Sequence, residues 1–174
     1  ITDTLDSILP RWLRFVNGVL DTSDLNLNVS REMLQHSPAL RRISKTLKKK
    51  IITELKKKKD KDVETFNKFC KEFGSVLKEG IYEDSDHKIE LLNLAKFQSS
   101  QNEEEKFLSQ YVEGMHKDQD QIFYIAADSL EQAVKSPHLE AFKSKDIEVL
   151  FFTDPIDTFW LSVQDNFDGK KFTS

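Results

Sequence analysis

The chain has 174 residues, 38% hydrophobic and 32% charged, with thirteen Phe, a composition suited to one or two modest cores and unlike that of a natively disordered tail. Its longest uncharged apolar stretches, such as Val149 to Phe152, are far shorter than the roughly 18 residues of a membrane-spanning helix. The net charge of −4 hides an asymmetry, because Arg41 to Lys61 hold eleven basic and two acidic residues, a local +9 that leaves −13 elsewhere.

Trp12 to Asp21 alternates as a strand would, with Asn17-Gly18 as a competing hairpin turn. Asp24 to Asn28 reads as a loop, and Ser30 caps a short helical turn running toward His36. Leu40, Ile43, Leu47, Ile51 and Leu55 recur at spacings of three and four, which predicts an amphipathic helix with lysine on its other face, opened by Ser37-Pro38. Its plainest role is a solvated helix whose lysine-rich last turn suits the helix dipole. Val63, Phe66, Phe69/Cys70, Phe73 and Val76/Leu77 define a second helix, expected to stop before Gly80. A third helix carries Ile89, Leu92 and Ala95, Gln98 to Glu105 reads as a polar loop, and Leu108, Tyr111/Val112 and Met115 mark a fourth helix.

After Lys117 the pattern changes. Gln121 to Ala127 and Ile147 to Thr153 read as strands separated by two short helices, the second opened by Ser136-Pro137. Strand, helix and strand imply parallel pairing through a right-handed crossover. Asp154-Pro155 opens a helix through Trp160, and Asp168-Gly169 turns the chain into a last strand, Lys170 to Ser174. The predicted fold class is therefore α/β: a partial α-β-α unit over 1–36, a helical segment over 37–117, and a small three-layer α-β-α unit with a parallel strand pair over 118–174.

Few motifs carry chemistry. Cys70 stands alone, which excludes an internal disulfide and a thiolate metal cage and fits a cytosolic, organellar or nuclear compartment. His36, His87, His116 and His138 form no zinc-peptidase pair, and Asp118 and Asp120 lack the rest of a calcium loop. No metal site is expected. Asp154 and Asp157 read as a helix cap and a first-turn acid rather than a catalytic pair. With five glycines and no phosphate-binding glycine loop, the chain has no cradle for a nucleotide. Arg31 breaks a local rule, because it follows the cap Ser30 at the positive end of a helix dipole, and its guanidinium beside Asn28 suits a bidentate contact with phosphate oxygens. Trp12, Phe15 and Trp160 are candidates for an aromatic face that holds client proteins, core packing being the alternative.

The segment Asp21-x-x-Asp24-Leu25-x-Leu27-Asn28-Val29-Ser30-Arg31-Glu32-Met33-Leu34-Gln35 resembles the signature of the middle domain of the heat-shock protein ninety chaperones. The similarity continues through Leu77-Lys78-Glu79-Gly80, Gln121 to Ile125, Ser136-Pro137-His138-Leu139, Glu148 to Phe151, Asp154-Pro155-Ile156-Asp157 and Phe167-Asp168-Gly169-Lys170, over essentially the whole chain. Departures are Asn26 where many relatives have Pro, Ser37-Pro38 in place of a helical polar run, an extended Lys56 to Lys59, and Thr158 in place of an acid.

The resemblance implies the middle segment of a homodimeric, ATP-driven chaperone that lacks the earlier strands of its first α/β unit. By analogy Arg31 is the catalytic-loop arginine that reaches the ATP held by an N-terminal domain, and Asn28 and Gln35 are polar residues of the same loop. ATP with Mg2+ would be bound mainly by that other domain, so this chain alone is not expected to turn over ATP. Implied partners are client proteins, the N- and C-terminal domains, a second copy of the full-length protein and co-chaperones, with no membrane and no nucleic acid. Leu77 to Gly80 and Asp146 to Leu150 resemble the bacterial and organellar branch, which favours a mitochondrion or plastid over the cytoplasm. The alternative from residues alone is a nucleic-acid or acidic-partner binding module built on Arg41 to Lys61.

Overall fold

The computed structural model describes residues 8–19, 38–102 and 104–174. The expected loop over 24–28, the Ser30 cap and Ser37 lie outside these residues. The chain divides into two compact units, residues 1–68 and 69–174.

In the first unit the strand expected from Trp12 is replaced, over the described residues, by a 3₁₀ turn, Arg11–Leu13. Pro10, with φ at −68°, accepts the Leu13 N–H at 2.9 Å and starts the turn. Trp12 and Leu13 are consecutive and both fully buried, unlike the in-out alternation of a half-buried strand. Helix α1 is Pro38–Lys61 over the described residues. Leu40 and Ile52 are its buried residues, while its lysines lie largely on the surface. The Asp62 carboxylate then accepts the Thr65 N–H at 3.3 Å and caps helix α2, Val63–Glu83. Contrary to expectation α2 continues through Gly80, and Asp84 N–H closes it on the Gly80 carbonyl at 2.9 Å. Gly80 is buried inside the helix rather than placed as a left-handed cap.

The second unit is built on a six-stranded sheet of order β2-β1-β4-β3-β6-β5. Its strands are β1 Lys96–Ser99, β2 Lys106–Phe107, β3 Gln121–Ala126, β4 Leu150–Phe152, β5 Asn166–Phe167 and β6 Lys170–Thr173. The helices are α3 Lys88–Leu92, α4 Leu108–Glu113, α5 Leu130–Val134, α6 His138–Lys143 and α7 Asp157–Leu161. β3 and β4 pair in parallel, with Ile125 opposite Phe151, as the strand-helix-strand pattern predicts. The loop expected at Gln98 to Glu105 is corrected at its start: Gln98 and Ser99 belong to β1, which pairs antiparallel with β4 on one side and with β2 on the other. Neither residue is a strand former, but buried Phe97 and Ser99 alternate with half-buried neighbours and β4 supplies the hydrogen-bonding edge. Asp168 (φ 50°) and Gly169 (φ 74°) make the tight β5–β6 turn that their Asp-Gly pair predicts.

All three residues of β4 are buried, as in a strand covered on both faces. Phe151 packs with Ala133 of α5 and Leu139 of α6, joined by Phe123 and Phe142. Phe152 points the other way, with ring centroids 5.0 Å from Phe97, 5.3 Å from Trp160 of α7 and 6.0 Å from Phe172. Helices therefore clad both faces of the sheet.

Polar bonds fasten α4 to the sheet. The Tyr111 hydroxyl donates to the Glu148 carbonyl at 2.8 Å and accepts from Phe123 N–H and Gln119 Nε2, each at 3.1 Å. Burial pushes its pKa up, so the stability it contributes is present below the ordinary value of 10.0 and lost as pH rises through the folded one. Tyr111→Phe is expected to lower stability by about 1–2 kcal/mol and to soften unfolding above pH 10, read from thermal melts across pH.

Candidate functional site

The sites read from sequence fall into two groups. Arg31, Asn28 and Gln35 lie outside the described residues. Trp12 and Trp160 are described, and both have 0% exposure, which removes them as a client-binding face. Trp160 is tied into the aromatic core by Phe97 and Phe172, at centroid distances of 5.8 and 5.5 Å. Trp12 is buried with its Nε1 unpaired among the described residues.

What the second unit assembles is a buried ion cluster that the sequence reading missed. Lys78 of α2, 5% exposed, sends its ammonium to Asp154 Oδ2 at 2.7 Å and to Asp157 Oδ1 at 3.2 Å, and lies 4.3 Å from the centroid of the Phe97 ring. Asp157, fully buried at the start of α7, also accepts the Trp160 indole N–H at 2.8 Å and the Asp154 backbone N–H at 3.0 Å. The capping role expected of Asp154 is corrected accordingly. Its backbone carbonyl receives the Asp157 N–H at 2.9 Å, while its carboxylate is spent on Lys78.

Burial alone would lower the Lys78 pKa, but the two carboxylates outweigh it and hold the ammonium charged above its ordinary value. Burial pushes the Asp157 pKa up against the attraction of Lys78. Both oxygens of Asp157 are engaged, so this carboxylate is held as a structural partner rather than offered as a base or nucleophile. Its chemical consequence is mechanical: it fixes the end of α2 and the start of α7 on one face of the sheet. The available signal was Lys78 set between Leu77 and Ile81 on an otherwise buried stripe, facing two acids in Asp154-Pro155-Ile156-Asp157.

The same elements present an apolar surface. Phe159, next to buried Trp160, is 56% exposed, and its ring lies edge-on to half-exposed Tyr82 at 6.1 Å. Ile89 and Val163 are also exposed, and Lys88 Nζ donates to the Val163 carbonyl at 3.0 Å, fastening α3 to the chain after α7.

A mixed sheet clad by helices, braced by a buried ion cluster and bearing an exposed aromatic pair, defines an α/β scaffold domain. The chain matches the model of the family described as Hsp90 protein over residues 1–174. It is 48% identical over 174 residues to chaperone protein HtpG of Paramagnetospirillum magneticum, covering all of this chain and 28% of that protein. Against HtpG of Mycobacterium leprae it is 44% identical over 175 residues, again all of this chain and 27% of the relative. The solved middle domain of a Plasmodium falciparum heat shock protein superposes with a TM-score of 0.84 at 31% identity, covering 99% of this chain and 67% of that one. The chain belongs to the Hsp90 family and has the fold of its middle domain. It spans a little over a quarter of the length of the curated relatives it matches.

Proposed function

We propose that the chain is the middle segment of an ATP-dependent molecular chaperone, and that it couples nucleotide turnover in another domain to the holding of client proteins. The observation that carries this reading is the family match along all 174 residues. Arg31 supplies the guanidinium that reaches the terminal phosphate, with Asn28 and Gln35 as polar partners in the same loop. ATP with Mg2+ sits mainly in an N-terminal domain, so the enzyme is the full-length ATPase, and the 174-residue chain alone binds ATP weakly. Homodimerisation, co-chaperones and contacts with the N- and C-terminal domains belong to the same proposal. A mitochondrion or plastid ahead of the cytoplasm rests on the branch resemblance of Leu77 to Gly80 and Asp146 to Leu150 alone.

Client contact is assigned to Phe159 and Tyr82, the exposed aromatic pair beside the braced helix α7. In the full-length protein, Phe159→Ser with Tyr82→Ser is expected to weaken suppression of aggregation of a chemically denatured test protein several-fold. Stability should shift by no more than about 0.5 kcal/mol per exposed site. Unchanged suppression at equal concentrations would remove this pair from the client surface.

A further inference from the structure

Helix α1 is not used by the reading above. Residues 38–53 hold six cations, Arg41, Arg42, Lys45, Lys48, Lys49 and Lys50, and no acid. Other helices of the described chain set a carboxylate three or four residues from a lysine: Lys68 with Glu64 at 2.7 Å, Lys135 with Glu131 at 2.6 Å, and Lys143 with Glu140 at 3.5 Å. In α1 the comparable pairs, Lys57 with Glu54 at 2.7 Å and Lys58 with Asp62 at 2.8 Å, sit at its C-terminal end. Glu54, the first acid of the helix, is engaged chiefly by Lys57 and more weakly by Lys50, one turn before it.

Arg42, Lys45, Lys49 and Lys50 are exposed. Arg42, Lys45 and Lys49 follow one another at spacings of three and four, so they share one side of the helix over about 10 Å. Like charges at these spacings repel. This local rule is broken on a surface helix, as happens where a partner supplies the compensation.

We propose that the exposed face of α1 formed by Arg42, Lys45, Lys49 and Lys50 docks acidic, unstructured segments of client polypeptides. Charge complementarity carries the choice of an acidic partner. An extended peptide places alternate side chains about 6.6 Å apart, close to the spacing of about 5–6 Å between neighbours on a helix face. The α1 face has no aromatic residue on which a nucleic-acid base would stack. Preferring polypeptide to nucleic acid also rests on the chaperone reading; the charge argument stands apart from it.

The test is fluorescence anisotropy on the full-length protein with a labelled, unstructured peptide rich in Glu and Gly. A Ser/Gly peptide and a DNA duplex serve as competitors. Affinity for the acidic peptide is expected to fall about tenfold or more between roughly 50 and 200 mM salt. Lys45→Gln/Lys49→Gln/Lys50→Gln should lower it by about tenfold, because Gln keeps the helix propensity of Lys while removing its charge. Lys135→Gln/Lys143→Gln, exposed residues just after α5 and at the end of α6, should leave it unchanged. Equal affinity in the wild type and the triple variant overturns the proposal, as does equal binding of the Ser/Gly peptide. A duplex that displaces the peptide at matched charge turns the surface over to nucleic acid. If acidic-peptide binding fails while the Phe159-dependent holding persists, this inference fails alone; if both fail, the chaperone reading fails with it.

Discussion

Arg31→Ala in the full-length protein is expected to lower ATP turnover by up to about a thousandfold at saturating ATP, the scale of an arginine that stabilises charge in phosphoryl transfer. A slow closing step that limits turnover would compress the loss. Nucleotide affinity should change little, because the pocket lies in another domain and the loop meets the phosphate only in the closed state. An interaction formed only in the transition state lowers kcat without raising KM, and that split is the readout. Arg31 follows Ser30 at the start of a predicted helical turn, so its removal should not weaken the fold and relieves an unfavourable dipole contact of roughly 0.3–1 kcal/mol. Arg31→Lys should rescue poorly, since an ammonium lacks the planar fork that grips two phosphate oxygens. Turnover at the wild-type rate in Arg31→Ala would return the residue to the ordinary surface.

Asp157→Ala is expected to destabilise the second unit by about 3–5 kcal/mol, the usual consequence of removing one partner from a buried ion pair. The loss has three parts in this structure. Lys78 keeps only the partly exposed Asp154, the Trp160 indole N–H loses its acceptor, and the Asp154 backbone N–H loses its own. A fall in Tm of more than about 10 °C should follow for a unit of this size. Lys78→Met combined with Asp157→Ala should cost less than the two single changes together by about 1 kcal/mol or more, since the double variant leaves no buried ammonium short of a partner.

The pH dependence has a definite sign. Lys78 titrates above its ordinary 10.5 in the folded chain, so its stabilisation is complete below that value and is lost as pH rises through the folded one. Asp157 is raised as well, so acidification toward its folded value does not weaken the fold through this group. Thermal melts should therefore show a loss above pH 10.5 that shrinks in Asp157→Ala, leaving the part due to Tyr111. An alkaline limb identical in wild type and variant would mean that the cluster does not hold Lys78 charged.

Much of the second unit was legible from local pattern. Apolar runs at Gln121 to Ala127 and Ile147 to Thr153, with two short helices between them, dictate a parallel crossover, and Asp168-Gly169 dictates a tight turn. The two long amphipathic helices follow from spacings of three and four residues. The motif segments, read as a collinear set, identified the family without any coordinates. Local pattern failed where the deciding partner is distant in sequence. Gln98 and Ser99 become strand because β4 offers an edge, and Gly80 stays helical because it is buried within α2. Trp160 and Phe159 are neighbours on one short helix, about 100° apart around its axis, and only the position of the sheet sends the first into the core and leaves the second exposed. Lys78 and Asp157 stand 79 residues apart. Each reads on its own as a surface charge, and burial makes sense of either only when the fold brings both to the same low-dielectric place, where an unpaired charge would be intolerable.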